Sequence, residues 1–313
     1  MTNPGPRPAA PTHRRNVVLV WAAAVLVLAA VVVLGAIRTV PSPGSDSQTR
    51  DFLTRDFPTG DVLTVAHQQA PDPAEAAPAA PAAAAVDLPA EMQRIIGEHP
   101  DHRIGVAVMN TRDGQLQSYG DVAPYTAAST AKVLTAAAYY HLVETGDKSL
   151  DAPLGAFNAA FQLKAMINTS SDDSWLLLMR DIGYPNLTAY AATLGITYDP
   201  EQNLLAPADM ARLLTQLATG KLLNADHTAE LLGYMQHTND EDLIPAAIAP
   251  GITVHHKYGV VQGYVHDAAL LSAGDRSYAV VIYTWGPDDA DSADRLDLIH
   301  DLTRQLTGAL FGL

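Results

Sequence analysis

The spacing of apolar residues divides the chain into three regions of different character. Residues 17–37, VVLVWAAAVLVLAAVVVLGAI, form an apolar run without a charged side chain. Residues 38–86 show no periodicity, whereas from residue 87 onward apolar positions recur with helical or strand spacing. The pattern therefore predicts a membrane segment, a tether and a folded domain at 87–313.

The apolar run has the length of a transmembrane helix. As a helix, its 21 residues extend about 32 Å, the thickness of a hydrocarbon core. Three arginines precede it and only Arg38 follows it closely, so the positive-inside rule predicts a cytoplasmic tail at 1–16 and an extracytoplasmic domain. The alternative is a cleaved signal peptide. An uncleaved signal anchor at 17–37 in the cell membrane is favoured, because the run is long and no small-x-small cleavage site follows.

The tether at 38–86 is rich in proline and alanine. It opens with PSPGSDSQ and closes with APDPAEAAPAAPAAAAV. Such tracts cannot bury a core and act as semi-extended spacers.

In the folded region, strands are predicted at both ends and helices between them. LPAEMQRIIGEH reads as a helix, and RIGVAVMNTRDGQLQSYG reads as a hairpin around an Asp-Gly turn. ITVHHKYG, GYVHDAALLSAG and SYAVVIYTW read as late strands. The expected class is α+β, with one antiparallel sheet built from both termini, flanked by the terminal helices, and a helical lobe. Further helices are predicted at 129–144, 158–168, 172–182, 186–194, 207–219, 225–237 and 291–310.

Composition excludes several functions. The formal net charge is −15, which argues against a nucleic-acid partner. The absence of cysteine excludes disulfides, thiol catalysis and cysteine-ligated metals. His255, His256 and His266 lack a ligand spacing typical of metal sites, so neither a metal nor another cofactor is expected.

One tetrad suggests a nucleophile with its base. Ser129 and Lys132 are three residues apart at the predicted start of a helix, so their side chains share a face. Free backbone N–H groups at a helix start lie beside such a hydroxyl. Burial or a nearby cation can lower the pKa of a lysine so that it is able to act as a base. A capping serine beside a solvated lysine is the simpler interpretation of this tetrad alone.

Two later segments could complete the site. Ser170, Ser171, Asp172 and Asp173 precede a helix and could also act only as caps. Lys257 lies on a predicted strand two residues before Gly259, and could offer a cation beside an accessible backbone N–H. An edge lysine that discourages aggregation is the alternative.

The order of these segments carries more information than any one of them. S-x-x-K at a helix start, S-x-(N/D) at a later helix and K-x-G on a late strand resemble the class A β-lactamases and penicillin-binding D,D-peptidases. The flanking words AASTAKVLTAA, MINTSSDDSWLLL and HKYGVVQGYVHDAALL resemble that family's motif contexts. The resemblance covers about residues 88–312.

The resemblance implies a role for each motif residue. Ser129 would form the acyl-enzyme, Lys132 would help to remove its proton, and Ser170 would pass the proton to the leaving nitrogen. Lys257 would hold the substrate carboxylate, with Tyr258 and Gly259 beside it. Asp172 would occupy the family's asparagine position, the backbone N–H groups of Ser129 and Val260 would form the oxyanion hole, and a register of Ser171 with Asp173 is the alternative.

The chain departs from the family pattern at three points. Asp172 stands where the family has asparagine, and an ionised carboxylate cannot donate a hydrogen bond to a substrate carbonyl. Tyr258 stands where the family has threonine or serine. Glu201 is the one glutamate in the short segment GITYDPEQNLLAPADM, and its context does not match the family's deacylation glutamate.

The sequence thus predicts a membrane-anchored serine hydrolase of the β-lactamase or penicillin-binding type. Its expected substrates are β-lactams or the D-Ala-D-Ala stem peptides of peptidoglycan. The competing hypothesis, motivated by the changes at Asp172 and Tyr258, is a catalytically inactive envelope scaffold or binding module with the same fold.

Overall fold

The computed structural model describes residues 87–287 and 293–312. The predicted cytoplasmic tail, membrane anchor and linker all lie outside these residues. Within them, no helix is both long enough and apolar enough to cross a membrane.

The elements alternate as the sequence pattern predicts, with strands near both ends and helices between. Two 3-10 turns, at Ala128–Ala131 and Pro245–Ala247, supplement the regular elements. In chain order the regular helices and strands are α1 Leu88–Gly97, β1 Arg103–Asn110, β2 Leu116–Gly120, β3 Tyr125–Thr126, α2 Lys132–Glu144, β4 Pro153–Leu154, β5 Phe157–Asn158, α3 Ala159–Asn168, α4 Asp172–Ile182, α5 Tyr184–Thr193, β6 Tyr198–Asp199, β7 Leu204–Leu205, α6 Pro207–Ala218, α7 Ala225–Tyr234, β8 Thr253–Val261, β9 Tyr264–Ala273, β10 Arg276–Trp285 and α8 Ala293–Phe311.

The main sheet has five antiparallel strands in the order β2-β1-β10-β9-β8. Strand β1 from the start of the domain pairs with β10 from its end, with Val106 opposite Ile282. Among the described strands β8 pairs with β9 alone and is an edge strand, whose His256 N donates outside the sheet to Met235 O at 2.8 Å. The site can form against this edge.

Side chains alternate between the two faces of the sheet, and each face has its own core. On β1, Val106 and Val108 join the cluster formed with α1 and α8. Ala107 and Met109 face the opposite way and join the core of the helical lobe, which includes most of the buried residues of α2. The sheet is therefore covered on both faces, and the prediction of an α+β fold with an antiparallel sheet is confirmed.

Local boundaries differ from the predicted ones at the site. The helix predicted from residue 129 begins at Lys132, because Ala128 to Ala131 form a 3-10 turn instead. Ala128 has a φ of 49°, a left-handed conformation that an α-helix cannot contain. Two-residue strands such as β3, β6 and β7 were not predicted, since so short a segment carries no periodicity.

Candidate active site

Ser129 lies in the 3-10 turn that leads into α2, and its side chain is half-buried. The turn is strained at Ala128, whose positive φ is uncommon for a residue with a Cβ. Asn203 holds the turn in place. Its backbone carbonyl accepts a hydrogen bond from Ala127 N at 2.8 Å. Its side-chain Nδ2 donates to Ala128 O at 3.0 Å.

Asn203 is a positioning residue that the sequence analysis missed. It too is left-handed, with a φ of 54°, and its Oδ1 accepts from the Tyr198 hydroxyl at 3.0 Å. Asparagine tolerates this conformation better than most residues, which is the available sequence signal. Glu201, two residues earlier, is exposed, and among the described residues its side chain has no hydrogen-bond or ion-pair partner.

Lys132 is fully buried, and its ammonium group uses all three donors. Nζ lies 2.7 Å from Ser170 O, 3.2 Å from Ser170 Oγ and 2.6 Å from Asp172 Oδ1. Burial lowers the pKa of Lys132, and the hydrogen bond and charge of Asp172 partly offset that effect. Burial thus favours the neutral form of Lys132, and Asp172 favours the charged form.

Lys257 approaches Ser170 from strand β8. Its fully buried Nζ donates to Ser170 Oγ at 3.0 Å and to Tyr258 O at 3.1 Å. Burial, followed by the positive charge of Lys132, lowers the pKa of Lys257 to about 7. The Ser170 hydroxyl therefore lies within hydrogen-bond distance of both lysines, and its backbone is left-handed, with a φ of 55°.

The two predicted registers of the S-x-(N/D) motif occupy different places. Ser170 and Asp172 contact the lysines. Ser171 instead caps helix α4, accepting a hydrogen bond from Ser174 N at 3.2 Å. Asp173 is exposed in the first turn of that helix. The structure thus brings Ser170 and Asp172, rather than Ser171 and Asp173, together with Lys132.

Strand β8 passes so close to the 3-10 turn that only glycine fits at position 259. A Cβ on Gly259 would lie 2.8 Å from Ser129 N and 3.0 Å from Thr130 N. The next residue, Val260, is 37% exposed, which leaves this end of the strand open. The close approach places the backbone of β8 beside that of Ser129, which the predicted oxyanion hole requires.

The three histidines of the late strands have structural partners. His266 is fully buried between Thr126 O, at 2.9 Å from Nε2, and Thr284 N, at 3.1 Å from Nδ1. Burial lowers the pKa of His266 to about 4, so the ring is neutral. His256 Nδ1 lies 3.0 Å from both carboxylate oxygens of the buried Asp267. His255 Nδ1 lies 2.9 Å from Leu232 O.

Three other residues in the described part of the chain have metal-ligand spacing. His99 and His102 follow helix α1, and Asp294 begins α8; their ligand atoms lie within 4.8 Å of one another. These residues belong to the helical layer on the opposite face of the sheet from α2, so they are separate from the lysine pair.

Comparison with known proteins identifies the family. Residues 157–310 match the Beta-lactamase2 family, described as a β-lactamase enzyme family, and residues 92–184 match the Beta-lactamase family. A β-lactamase from Citrobacter koseri is 26% identical over 245 residues, which cover 66% of this chain and 83% of that protein.

Solved structures share the fold. A PBP-A variant, solved as an acyl-enzyme complex with penicillin G, superposes with a TM-score of 0.65 at 22% identity, covering 72% of this chain and 97% of that one. A β-lactamase from Streptosporangium roseum gives a TM-score of 0.65 at 24% identity, covering 72% and 99%. The two family models together span residues 92–310, and the chain is a serine hydrolase of the β-lactamase family.

Replacing Gly259 by alanine is expected to displace β8 from the Ser129 turn. The added Cβ meets backbone atoms, which cannot rotate away, so unfolding should become easier by about 1–3 kcal/mol. Urea denaturation measures the change. Gly97→Ala is the matched control, since its Cβ would meet nothing within 4 Å. An equal loss of stability in both variants would show that the close approach is unimportant.

Proposed function

We propose that the chain is a membrane-anchored, extracytoplasmic serine hydrolase in which Ser129 forms an acyl-enzyme with β-lactams or cell-wall peptide amides. The observation that carries the proposal is the position of the Ser170 hydroxyl, which lies 3.2 Å from Lys132 Nζ and 3.0 Å from Lys257 Nζ. Two buried cations around one hydroxyl are costly to assemble, and a purely structural role does not require them.

The acylation step is inferred from the family resemblance of Ser129 and Lys132, together with these contacts of Ser170. Lys132 in its neutral form takes the proton of Ser129, whose oxygen attacks the carbonyl carbon of the substrate amide. The lowered pKa of Lys132 increases the neutral fraction. The backbone N–H groups of Ser129 and Val260 stabilise the oxyanion. Ser170 then donates its proton to the leaving nitrogen as the C–N bond breaks and the Ser129 ester forms. The protonated Lys132 gives Ser170 a proton in return.

Deacylation is expected to be slow. Glu201 is the sequence candidate for activating the attacking water, but its side chain is exposed and lacks a partner among the described residues. A base needs to be held at hydrogen-bond distance from its water. We therefore propose penicillin-binding or peptidase behaviour in preference to efficient β-lactam hydrolysis.

Intact mass spectrometry of the purified full-length protein with benzylpenicillin tests the nucleophile. A persistent adduct is expected on the unmutated chain and none on Ser129→Ala. Lys132→Ala should slow adduct formation by about 10²–10⁴-fold, because it removes the base. Circular dichroism would control for folding. Drug hydrolysis without an adduct, lost in Ser129→Ala, would identify a β-lactamase instead.

The absence of both adduct and hydrolysis would contradict the acyl-enzyme and favour the inactive scaffold. That alternative draws support from the replacements at Asp172 and Tyr258. The two hypotheses differ for Lys132→Ala, since an enzyme would lose acylation, whereas a scaffold would retain its envelope partner.

Asp172→Asn is expected to shift the pH dependence of acylation toward acid. The Asp172 carboxylate lies 2.6 Å from Lys132 Nζ and raises the pKa of the lysine, opposing the effect of burial. Its removal favours the neutral base, so the rising limb of the pH–rate profile should move down by about one pH unit. Benzylpenicillin acylation rates between pH 5 and 9 measure the limb.

Asp173→Asn is the matched control, because it removes the same charge from the neighbouring exposed residue. An equal shift in both variants would mean that only the overall charge of the cleft matters. A shift toward alkali in Asp172→Asn would contradict the proposed role of the ion pair.

The membrane anchor is proposed from the sequence of residues 17–37 and needs a separate test. The full-length chain should sediment with membranes and resist carbonate extraction, and deletion of these residues should release it. The intact mass of the membrane-bound protein should include residues 1–16. A mass lacking residues 1–16 and residues 17–37 would indicate a cleaved signal peptide.

A further inference from the structure

Tyr258 covers the lysine that the family resemblance assigns to the substrate carboxylate. Lys257 Nζ lies 3.7 Å from the centroid of the Tyr258 ring, a cation–π distance. The Lys257 side chain is fully buried, whereas Tyr258 is only half-buried. The ring thus packs directly against the ammonium group.

The ammonium group of Lys257 has its contacts satisfied without a ligand. Two donors reach Ser170 Oγ and Tyr258 O, and the remaining side meets the ring. The negative charges of Asp267, Asp240 and Asp172 also act on Lys257 and raise its pKa against the effect of burial. An incoming carboxylate would have to displace the ring and enter among these charges.

The phenol is fixed in this position by the loop that follows α7. Its hydroxyl donates to Asn239 Oδ1 at 2.8 Å. Asn239 N in turn donates to Asn168 O at 3.2 Å, and Asn168 Nδ2 donates to Gln236 O at 3.0 Å. Asn168 is two residues before Ser170. The same segment therefore carries the hydroxyl that both lysines contact and, through Asn239, helps to hold the Tyr258 ring against Lys257.

We propose that Tyr258 is a specificity-determining residue whose ring takes the place of a substrate carboxylate on Lys257. The site then gives a carboxylate at this position no advantage, so acyl donors that are uncharged there, such as esters or amides whose neighbouring carboxyl group is blocked, react as readily as charged ones. The proposal rests on the proposed function in taking Ser129 as the nucleophile. Lys257 keeps its second role, which is to contact the Ser170 hydroxyl.

The test compares benzylpenicillin with its methyl ester, which differ only in the charge of the carboxyl group. Acylation rates by intact mass are expected to agree within about threefold on the unmutated protein. Tyr258→Thr uncovers Lys257, and should raise the ratio of acid to ester at least about tenfold, the value of one charge-assisted hydrogen bond. Tyr258→Phe keeps the ring but loses the hydrogen bond to Asn239, so it should raise the ratio less than Tyr258→Thr does.

A second variant and a second readout make the test independent of folding and of catalysis. Asn239→Ala frees the phenol without altering strand β8, and should raise the ratio in the same direction. Equilibrium binding of both compounds is also measured on Ser129→Ala with and without Tyr258→Thr. A tenfold rise in the binding ratio, with no adduct on any protein containing Ser129, would support the role of Tyr258 while contradicting the proposed acyl-enzyme.

Two outcomes would overturn the inference alone. In one, the unmutated protein forms adducts with a strong preference for the acid, and this preference falls in Tyr258→Phe. The phenol hydroxyl would then hold the carboxylate. The other is adduct formation with the same ratio in the unmutated protein and in folded Tyr258→Thr. Absence of binding to every protein would overturn both the inference and the penicillin substrate.

Discussion

The burial of two lysines around one serine hydroxyl is the interaction on which the site depends. A lone ammonium group in a dry interior is costly, and a second cation nearby increases the cost. Here the charges are offset by the Asp172 carboxylate, by the carbonyl groups of Ser170 and Tyr258 and by the face of an aromatic ring. What remains is a lowered pKa on both lysines, which is the property that acid–base chemistry at neutral pH requires.

Parts of the chain that are distant in sequence support this arrangement. Ser129 enters from the turn before α2, Ser170 from the end of α3, and Lys257 from an edge strand near the end of the domain. Gly259 allows β8 to approach the Ser129 turn, and Asn203 fixes that turn from the other side. Left-handed backbone at Ala128, Ser170 and Asn203 places conformational strain where the chemistry is proposed.

Two of the three departures from the family pattern, at Asp172 and Tyr258, lie at positions that would contact substrate, whereas Ser129, Lys132, Ser170 and Lys257 are all present. This division indicates a change of substrate more readily than a loss of the reaction. Asp172 offers an acceptor where the family offers an amide, and Tyr258 shields the cation that the family uses for a carboxylate. Both changes alter the proposed substrate contacts without removing the proposed nucleophile or base.

The sequence by itself determined the class of fold and the motif residues, because strand and helix periodicity and the order of three short motifs are local properties. The antiparallel sheet from both termini and the helix bounds near α3, α4 and α6 could be predicted in this way. The sequence left two registers open at Ser170 and Ser171, since both serines precede the same helix. On the Ser129–Lys132 tetrad alone, a solvated Lys132 was the simpler interpretation.

Only the tertiary structure distinguished these possibilities. Ser171 caps a helix, whereas Ser170 contacts both lysines. Which serine takes which place depends on the direction in which the left-handed Ser170 turns the chain, and packing against α2 and β8 sets that direction. The bracing by Asn203, the exposure of Glu201 and the position of the Tyr258 ring likewise depend on segments far apart in sequence. Such contacts form through burial and steric fit, which no local pattern records.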